Sequence, residues 1–244
     1  MKKIAMIPAR YAATRFPFKL MQLLGEKTLI RHTYENTVAT GLFDDTIVVT
    51  DSDIIYNEIS KHGGKAVMSM NQHESGSDRI AEAVLNIDAD IVLNVQGDEP
   101  FVQKEPLQKL LKAFEDPAVK VASLMKSFSD HDRAKNPNIV KVVVDANSNS
   151  LLFSRSPIPF HRDTEVGILY HEHIGVYAFR KETLLQFTQW KPTPLEVMEK
   201  IECLRYLENG IKLKMVETDA EMVKIDVPED MNAAVKYLDS YKTS

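Results

Sequence analysis

Apolar residues along the chain fall into short unbroken runs at 4–7, 47–50, 65–68 and 91–95, each closing on a turn-forming or polar stretch such as Pro8, Asp51-Ser52-Asp53 or Gln96-Gly97-Asp98-Glu99-Pro100. Runs this short, without polar alternation, read as strands buried on both faces, the pattern of a parallel sheet. Between them, residues 30–40 and the segment from Asp51 through Ile59 have helical spacing, the second opened by an acidic N-cap. A helix is expected from beyond Pro100 through Phe114, followed by a strand at 119–125 and a loop at Asn136-Pro137-Asn138.

The middle of the chain changes character. Residues 140–144 and 151–154 flank Asp145-Ala146-Asn147-Ser148-Asn149, which is hairpin chemistry. A strand at 174–179, one helix over 195–207 ending at Asn209-Gly210, a strand at 212–217 and a last helix opening near Pro228, with Glu229 and Asp230 at its positive end, complete the pattern. The expectation is an α/β fold: a mostly parallel, Rossmann-like sheet flanked by helices, with an antiparallel hairpin insertion. One domain spanning 1–244 is expected, the inserted region covering about 138–180 and serving dimerisation, since 153–162 carries apolar residues that look exposed.

Composition narrows the function classes. With 35 acidic against 30 basic residues the net charge is −5, so no overall field draws the chain to nucleic acid or anionic membranes, and any phosphate site must be local. Cys203 is the only cysteine, which excludes an intrachain disulfide. The apolar run after Met1-Lys2-Lys3 is cut short by Pro8 and Arg10, and no stretch approaches the roughly 18 apolar residues of a membrane span. A cytoplasmic location is expected.

Parallel sheets bind ligands at the carboxyl ends of their strands, so the turns after Ile7, Thr50 and Val95 should share one rim. Arg10, Arg15 and Lys19 crowd three cations into the first of these loops. Their mutual repulsion calls for an anion, and guanidinium forks with a compact ammonium suit a polyphosphate; a solvated basic loop is the alternative. Asp98 and Asp226 each follow a short apolar stretch, so both can stand at the same rim and share Mg²⁺, which takes few protein carboxylates and completes its shell with phosphate and water. Asp226 fits equally a cap for the last helix, Ser75 to Arg79 a capped helix start, and Arg155 a surface salt bridge. Glu99 stays outside the catalytic set. His171 and His173 share one face of a strand without a third ligand at metal spacing, which favours hydrogen-bonded or interface histidines.

Several ordered motifs point further: Ile7-Pro8-Ala9-Arg10-Tyr11-Ala12 with Thr14-Arg15, Pro17 and Lys19; Ser75-Gly76-Ser77-Asp78-Arg79; Val95 to Pro100; Phe153-Ser154-Arg155-Ser156-Pro157-Ile158-Pro159; His173-Ile174-Gly175-Val176-Tyr177; and Asp226-Val227-Pro228-Glu229-Asp230. Over nearly its whole length the chain resembles the sugar nucleotidyltransferases, in particular the CMP-3-deoxy-manno-octulosonate (CMP-Kdo) synthetase family. The resemblance implies a nucleotide-diphospho-sugar transferase fold and the reaction CTP + Kdo → CMP-Kdo + pyrophosphate, which activates Kdo for lipopolysaccharide synthesis. It implies catalysis by Arg10, Lys19, Asp98 and Asp226, with Mg²⁺ on the two aspartates. Nucleotide binding falls by the same likeness to Arg10, Arg15, Lys19, Ser75, Gly76 and Arg79, and binding of the ulosonic acid to Gln96, Arg155, His173, Tyr177 and Glu202. A homodimer is also implied. The alternatives are a cytidylyltransferase for 8-amino Kdo or sialic acid, and a non-catalytic nucleotide-binding homologue. Two departures stand out: Phe18-Lys19-Leu20 where the family usually has Gly-Lys-Pro, and Cys203 where it usually has glutamine.

Overall fold

The computed structural model describes residues 1–12, 16–71, 73, 75–163, 165–221 and 223–242. Its internal contacts gather into two units, one formed by 1–104 with 221–244 and the other by 105–220.

In the first unit β1 (Lys3–Ala9) is followed by the two-residue strands β2 (Leu23–Leu24) and β3 (Lys27–Thr28), then α1 (Leu29–Ala39), β4 (Asp45–Thr50), α2 (Asp53–Lys61), β5 (Ala66–Met68), α3 (Gly76–Val84) and β6 (Ile91–Asn94). β1 pairs in parallel with β4 on one side and β6 on the other, and β5 extends the sheet from β4, also in parallel. Ile4, Ala5, Met6 and Ile7 are at most 1% exposed, and Ile91, Val92 and Leu93 are equally covered. That burial is why these runs show no polar alternation. The register sets Met6 against Asn94 and Ala9 against Thr50, so the turns leaving β1, β4 and β6 emerge at one rim, as expected.

Helix starts in this unit are made locally. Thr28 caps α1 by accepting the N–H of Arg31, and Ser75 caps α3 by accepting that of Asp78. The last helix, Asp230–Lys242, returns to this unit, and Ala234 joins Leu24, Leu29, Phe101 and Ile225 in a buried cluster. Burying Ile225 is worth about 2 kcal/mol; that seats the segment around it, and with it Asp226, on the core.

The second unit holds α4 (Lys104–Lys112) from its second residue onward, β7 (Val121–Phe128), α5 (His131–Ala134), β8 (Lys141–Val144), β9 (Ser150–Ser154), β10 (Tyr170–Arg180), α6 (Lys181–Phe187), α7 (Pro194–Glu199), α8 (Leu204–Glu208) and β11 (Lys214–Glu217). β8 and β9 form the expected hairpin; the Asp145 carboxylate accepts the N–H groups of Asn147 and Asn149 at 2.9 Å each, closing the turn. β10 runs antiparallel to both β7 and β8, and β11 is parallel to β7. Parallel pairing in the first unit and an antiparallel hairpin in the second make the α/β class read from the sequence.

Several elements differ from the sequence expectation, among them the short β2, β3 and α5, which no expected element covers. The helix over 195–207 is two helices, because Lys200 turns left-handed (φ 55°) and ends α7. The carbonyls of Glu199 and Lys200 are taken by the Arg155 guanidinium at 2.7 and 3.3 Å, which stops the helical ladder there. α6 was not foreseen; only seven residues long, it shows too few turns for its spacing to stand out. Among the described residues no helix is long and apolar enough to cross a membrane.

Candidate active site

A cavity of about 280 Å³ opens at the rim of the first unit. Arg10, Lys19, Ser75, Gly76, Arg79, Gln96, Asp98 and Asp226 all line it, although they come from four separate stretches of sequence. Arg15 lies outside the described residues.

Two glycines make the close approach possible. A Cβ on Gly97 would stand 3.1 Å from the Pro8 carbonyl oxygen, and one on Gly76 would stand 3.1 Å from the Pro8 ring. The loop after β1 is thereby clasped between the turn after β6 and the start of α3. Downstream in that loop, Phe18 takes a left-handed conformation and opens a 3-10 turn over Lys19–Met21, and Leu20 is buried. Lys19 is thus carried on a turn anchored by its neighbour.

The Lys19 ammonium donates to Asp98 Oδ2 at 2.6 Å and to Asp226 Oδ1 at 3.4 Å. The two aspartate segments are also tied directly, since the Ile225 N–H donates to the Asp98 carbonyl at 3.1 Å. Asp98 Oδ1 is buried and has no hydrogen-bond partner among the described residues. The helix-cap alternative for Asp226 does not describe its side chain: Asp230 Oδ2 accepts the N–H groups of Asp226 and Val227 at 2.7 and 3.0 Å, and the Asp226 carboxylate faces Lys19 and Lys224.

No cluster of three or more His, Cys, Asp or Glu side chains able to hold a metal exists among the described residues. The donor set is therefore a pair of carboxylates beside an open cavity. With an unfilled buried oxygen on Asp98, that set fits a hard divalent cation which draws its remaining ligands from phosphate and water.

Two neighbours bear on the charge of this pair: Glu99, which the sequence places outside the catalytic set, and Lys224, which its motifs do not single out. Burial, followed by the negative field of Asp98, pushes the Glu99 carboxyl up to about 8, so it is neutral at pH 7. Lys224 lies 3.6 Å from Asp226; burial opposes its charge, but Asp98 and Asp226 outweigh that and hold its ammonium above the ordinary lysine range.

Arg79 is 5% exposed; its Nη2 pairs with Asp51 at 2.6 Å, while Nη1 is buried without a partner among the described residues. Ser75 both caps α3 and donates to the Asp78 carboxylate at 2.9 Å. His73, which also lines the cavity, contacts Glu82 at 2.6 Å, and Glu82 also accepts from Ser69 and Asn71. Gln96 donates to Asn94 Oδ1 at 3.2 Å.

The remaining candidates, Arg155, His173, Tyr177 and Glu202, belong to the second unit. His173 sits just before the bulge of β10, its Nε2 3.0 Å from Ser123 Oγ and its ring edge-on to Phe153. Burial lowers its pKa to about 4, leaving a neutral imidazole at pH 7. His171 likewise pairs with a serine, Ser127, at 3.0 Å. The hydroxyl of Tyr177 is hydrogen-bonded with the thiol of Cys203; burial, reinforced by Cys203 and Glu202, raises the Tyr177 pKa, and burial raises that of Cys203. Arg155, expected at a sugar carboxylate, donates through Nε, Nη1 and Nη2 to the carbonyls of Glu199, Pro137 and Lys200. It clamps the end of α7, and no carboxylate pairs with its guanidinium in those bonds, so the surface salt-bridge alternative does not describe it either.

The comparisons with known proteins bear on this geometry. A family model described as cytidylyltransferase matches residues 4–216. The chain is 56% identical over 237 residues to 3-deoxy-manno-octulosonate cytidylyltransferase of Flavobacterium johnsoniae, covering 96% of this chain and 97% of that protein. To the protein of the same name from Bacteroides thetaiotaomicron it is 43% identical, covering 98% of each. A solved structure of CMP:2-keto-3-deoxy-manno-octonic acid synthetase complexed with CTP superposes with a TM-score of 0.94 at 34% identity, covering 99% of this chain and 100% of that one. A 4-diphosphocytidyl-2C-methyl-D-erythritol synthase from Anaerococcus prevotii, at 19% identity and a TM-score of 0.64, shares the fold. The chain belongs to the cytidylyltransferase family, among the 3-deoxy-manno-octulosonate cytidylyltransferases.

Proposed function

We propose that the chain transfers the cytidylyl group of CTP to the anomeric hydroxyl of Kdo, giving CMP-Kdo and pyrophosphate, and so activates Kdo for lipopolysaccharide synthesis. The observation that carries the reading is the convergence of Asp98 and Asp226 on Lys19 in a cavity also lined by Arg10, Ser75 and Arg79, in a chain with this family membership.

In the proposed reaction the sugar oxygen attacks the α-phosphorus in line. The new P–O bond forms, the hydroxyl loses its proton, and the bond to the β-phosphate breaks without a covalent enzyme intermediate. Arg10, Arg15 and Lys19 neutralise the departing pyrophosphate. Ser75, Gly76 and Arg79 hold the nucleotide, and the buried Nη1 of Arg79, without a partner among the described residues, is a donor available for it. Asp98 and Asp226 would hold Mg²⁺, which would supply Lewis-acid activation of the hydroxyl and neutralise charge on the phosphates. The neutral His173 and Tyr177, with Gln96 and Glu202, are assigned to the sugar hydroxyls by likeness to the family. Arg155 is assigned to the sugar carboxylate by the same likeness, while in the structure its guanidinium engages the carbonyls that end α7.

A homodimer in the cytoplasm accompanies this proposal. Support for self-association comes from the exposed Phe160, Val166 and Leu169 of the second unit. The test is pyrophosphate release by the purified chain with Mg²⁺ and each pairing of CTP or UTP with Kdo, 8-amino Kdo, sialic acid or a sugar 1-phosphate. Turnover with CTP and Kdo is expected; turnover only with UTP and a sugar phosphate overturns the reading.

A further inference from the structure

We infer that Lys19 is an internal placeholder cation: it holds Asp98 and Asp226 converged while nucleotide is absent, competes there with the divalent metal, and yields the carboxylates when triphosphate draws it away. The inference rests on the reading of Asp98 and Asp226 as the metal pair, and it assigns Lys19 a positioning role in addition to its contact with phosphate.

The geometry leads to this directly. Two carboxylates brought to one point repel each other, and their approach is set by backbone, through the Ile225 N–H bonded to the Asp98 carbonyl. A cation must therefore stand between them, and the ammonium of Lys19 does so, 2.6 Å from one and 3.4 Å from the other. Its side chain is 13% exposed and that of Asp98 14%, so solvent screens this closer contact little, while Asp226 is more open. A divalent cation binding either oxygen of Asp98 meets a fixed positive charge a few ångströms away, which opposes metal binding to the nucleotide-free protein. Asp98 Oδ1, buried and unpartnered among the described residues, shows that the lysine does not fill the site.

Lysine is the residue type suited to this duty. It is a compact charge on a flexible four-carbon stem, able to swing from carboxylate to phosphate while its backbone stays fixed. Here the backbone is pinned by the 3-10 turn and the buried Leu20. Lys224 is the natural control, because it touches Asp226 at 3.6 Å and its side chain is 47% exposed. The order of events that follows is nucleotide first and tight metal second, with the metal-free protein kept from collecting divalent ions in a geometry that lacks phosphate ligands.

The test measures Mn²⁺ affinity by electron paramagnetic resonance, with and without CTP and always without sugar, so that activity plays no part. Without nucleotide, Lys19→Met is expected to bind Mn²⁺ roughly tenfold or more tighter than wild type. Lys224→Met should gain less, and Asp98→Asn added to Lys19→Met should abolish the gain. Lys19→Arg, which keeps the charge, should remain weak. Circular dichroism checks folding, and Lys19→Gln provides a second variant lacking the charge; for either, Mn²⁺ should raise Tm more than it does for wild type. If the charge-removing variants bind Mn²⁺ no tighter than wild type while Asp98→Asn still weakens Mn²⁺ in the CTP complex, the placeholder role is wrong and the metal pair stands. If Asp98→Asn leaves Mn²⁺ in the CTP complex unchanged, the metal pair itself is wrong and the inference falls with it.

Discussion

The rim of the first unit and the β10 region of the second treat polar groups in opposite ways. At the rim, charges are concentrated and incompletely met: Asp98 Oδ1 and Arg79 Nη1 are buried without partners among the described residues, and Lys19 is shared between two aspartates. At the bulge of β10 two groups are neutral and internally paired, His173 with Ser123 and Tyr177 with Cys203. An unmet buried charge costs stability unless a ligand completes it, whereas a paired neutral group forms a firm wall with selective hydrogen-bonding capacity. The first arrangement suits a polyphosphate with its metal, the second a neutral polyhydroxyl surface.

The contrast breaks most visibly at Asp98. Asp98→Asn keeps shape but removes the charge, and the rate of pyrophosphate release with CTP and Kdo should fall about 10³-fold while the far-ultraviolet circular dichroism stays that of the wild type. Unchanged turnover would remove the rim from the chemistry. Next in size is Gly97→Ala. Its Cβ meets the Pro8 carbonyl at 3.1 Å, a backbone atom that cannot swing aside. Urea denaturation should show a loss of about 1 to 2 kcal/mol, together with weaker CTP binding because the loop carrying Arg10 is displaced.

A smaller effect sharpens the β10 side. His173 has a folded pKa of about 4 against 6.5 when free, so between those values the unfolded chain binds the extra proton. Its contribution to stability is thus fully present above the unfolded value and is lost as pH falls from 6.5 toward 4. At pH ~5.5 the loss is about 1 kcal/mol. His173→Gln should flatten this part of the stability curve measured by urea titration at a series of pH values. A curve unchanged by the substitution would show that His173 titrates in the folded protein as it does in the unfolded chain, contradicting its burial as a neutral imidazole.

The two regions were unequally legible in the sequence. β1, β4 and β6 announced themselves because burial on both faces removes polar alternation, and the rim followed from the rule that parallel strands end together. Asp98 and Asp226 could be placed there for the same reason. Glu99 could not: its neutral, buried state depends on the field of Asp98 and on covering atoms far away in sequence. Arg155 shows the same difficulty. Its motif reads as a ligand contact, yet its partners are carbonyls at Pro137, Glu199 and Lys200, which only the folded chain brings within reach. The same contacts break the helix at Lys200, whose apolar spacing on either side gave no sign of a left-handed residue. Cys203 was visible as a departure from the family, but its bond to Tyr177 was not.

Calorimetric titration of CTP with Mg²⁺ into Arg10→Ala and Tyr177→Phe proteins tests the division between the two regions most directly. The expected result is a loss of about tenfold or more in CTP affinity for Arg10→Ala, with Tyr177→Phe binding CTP as the wild type does. Equal weakening in both variants, or none in Arg10→Ala, would contradict the assignment of the nucleotide to the charged rim.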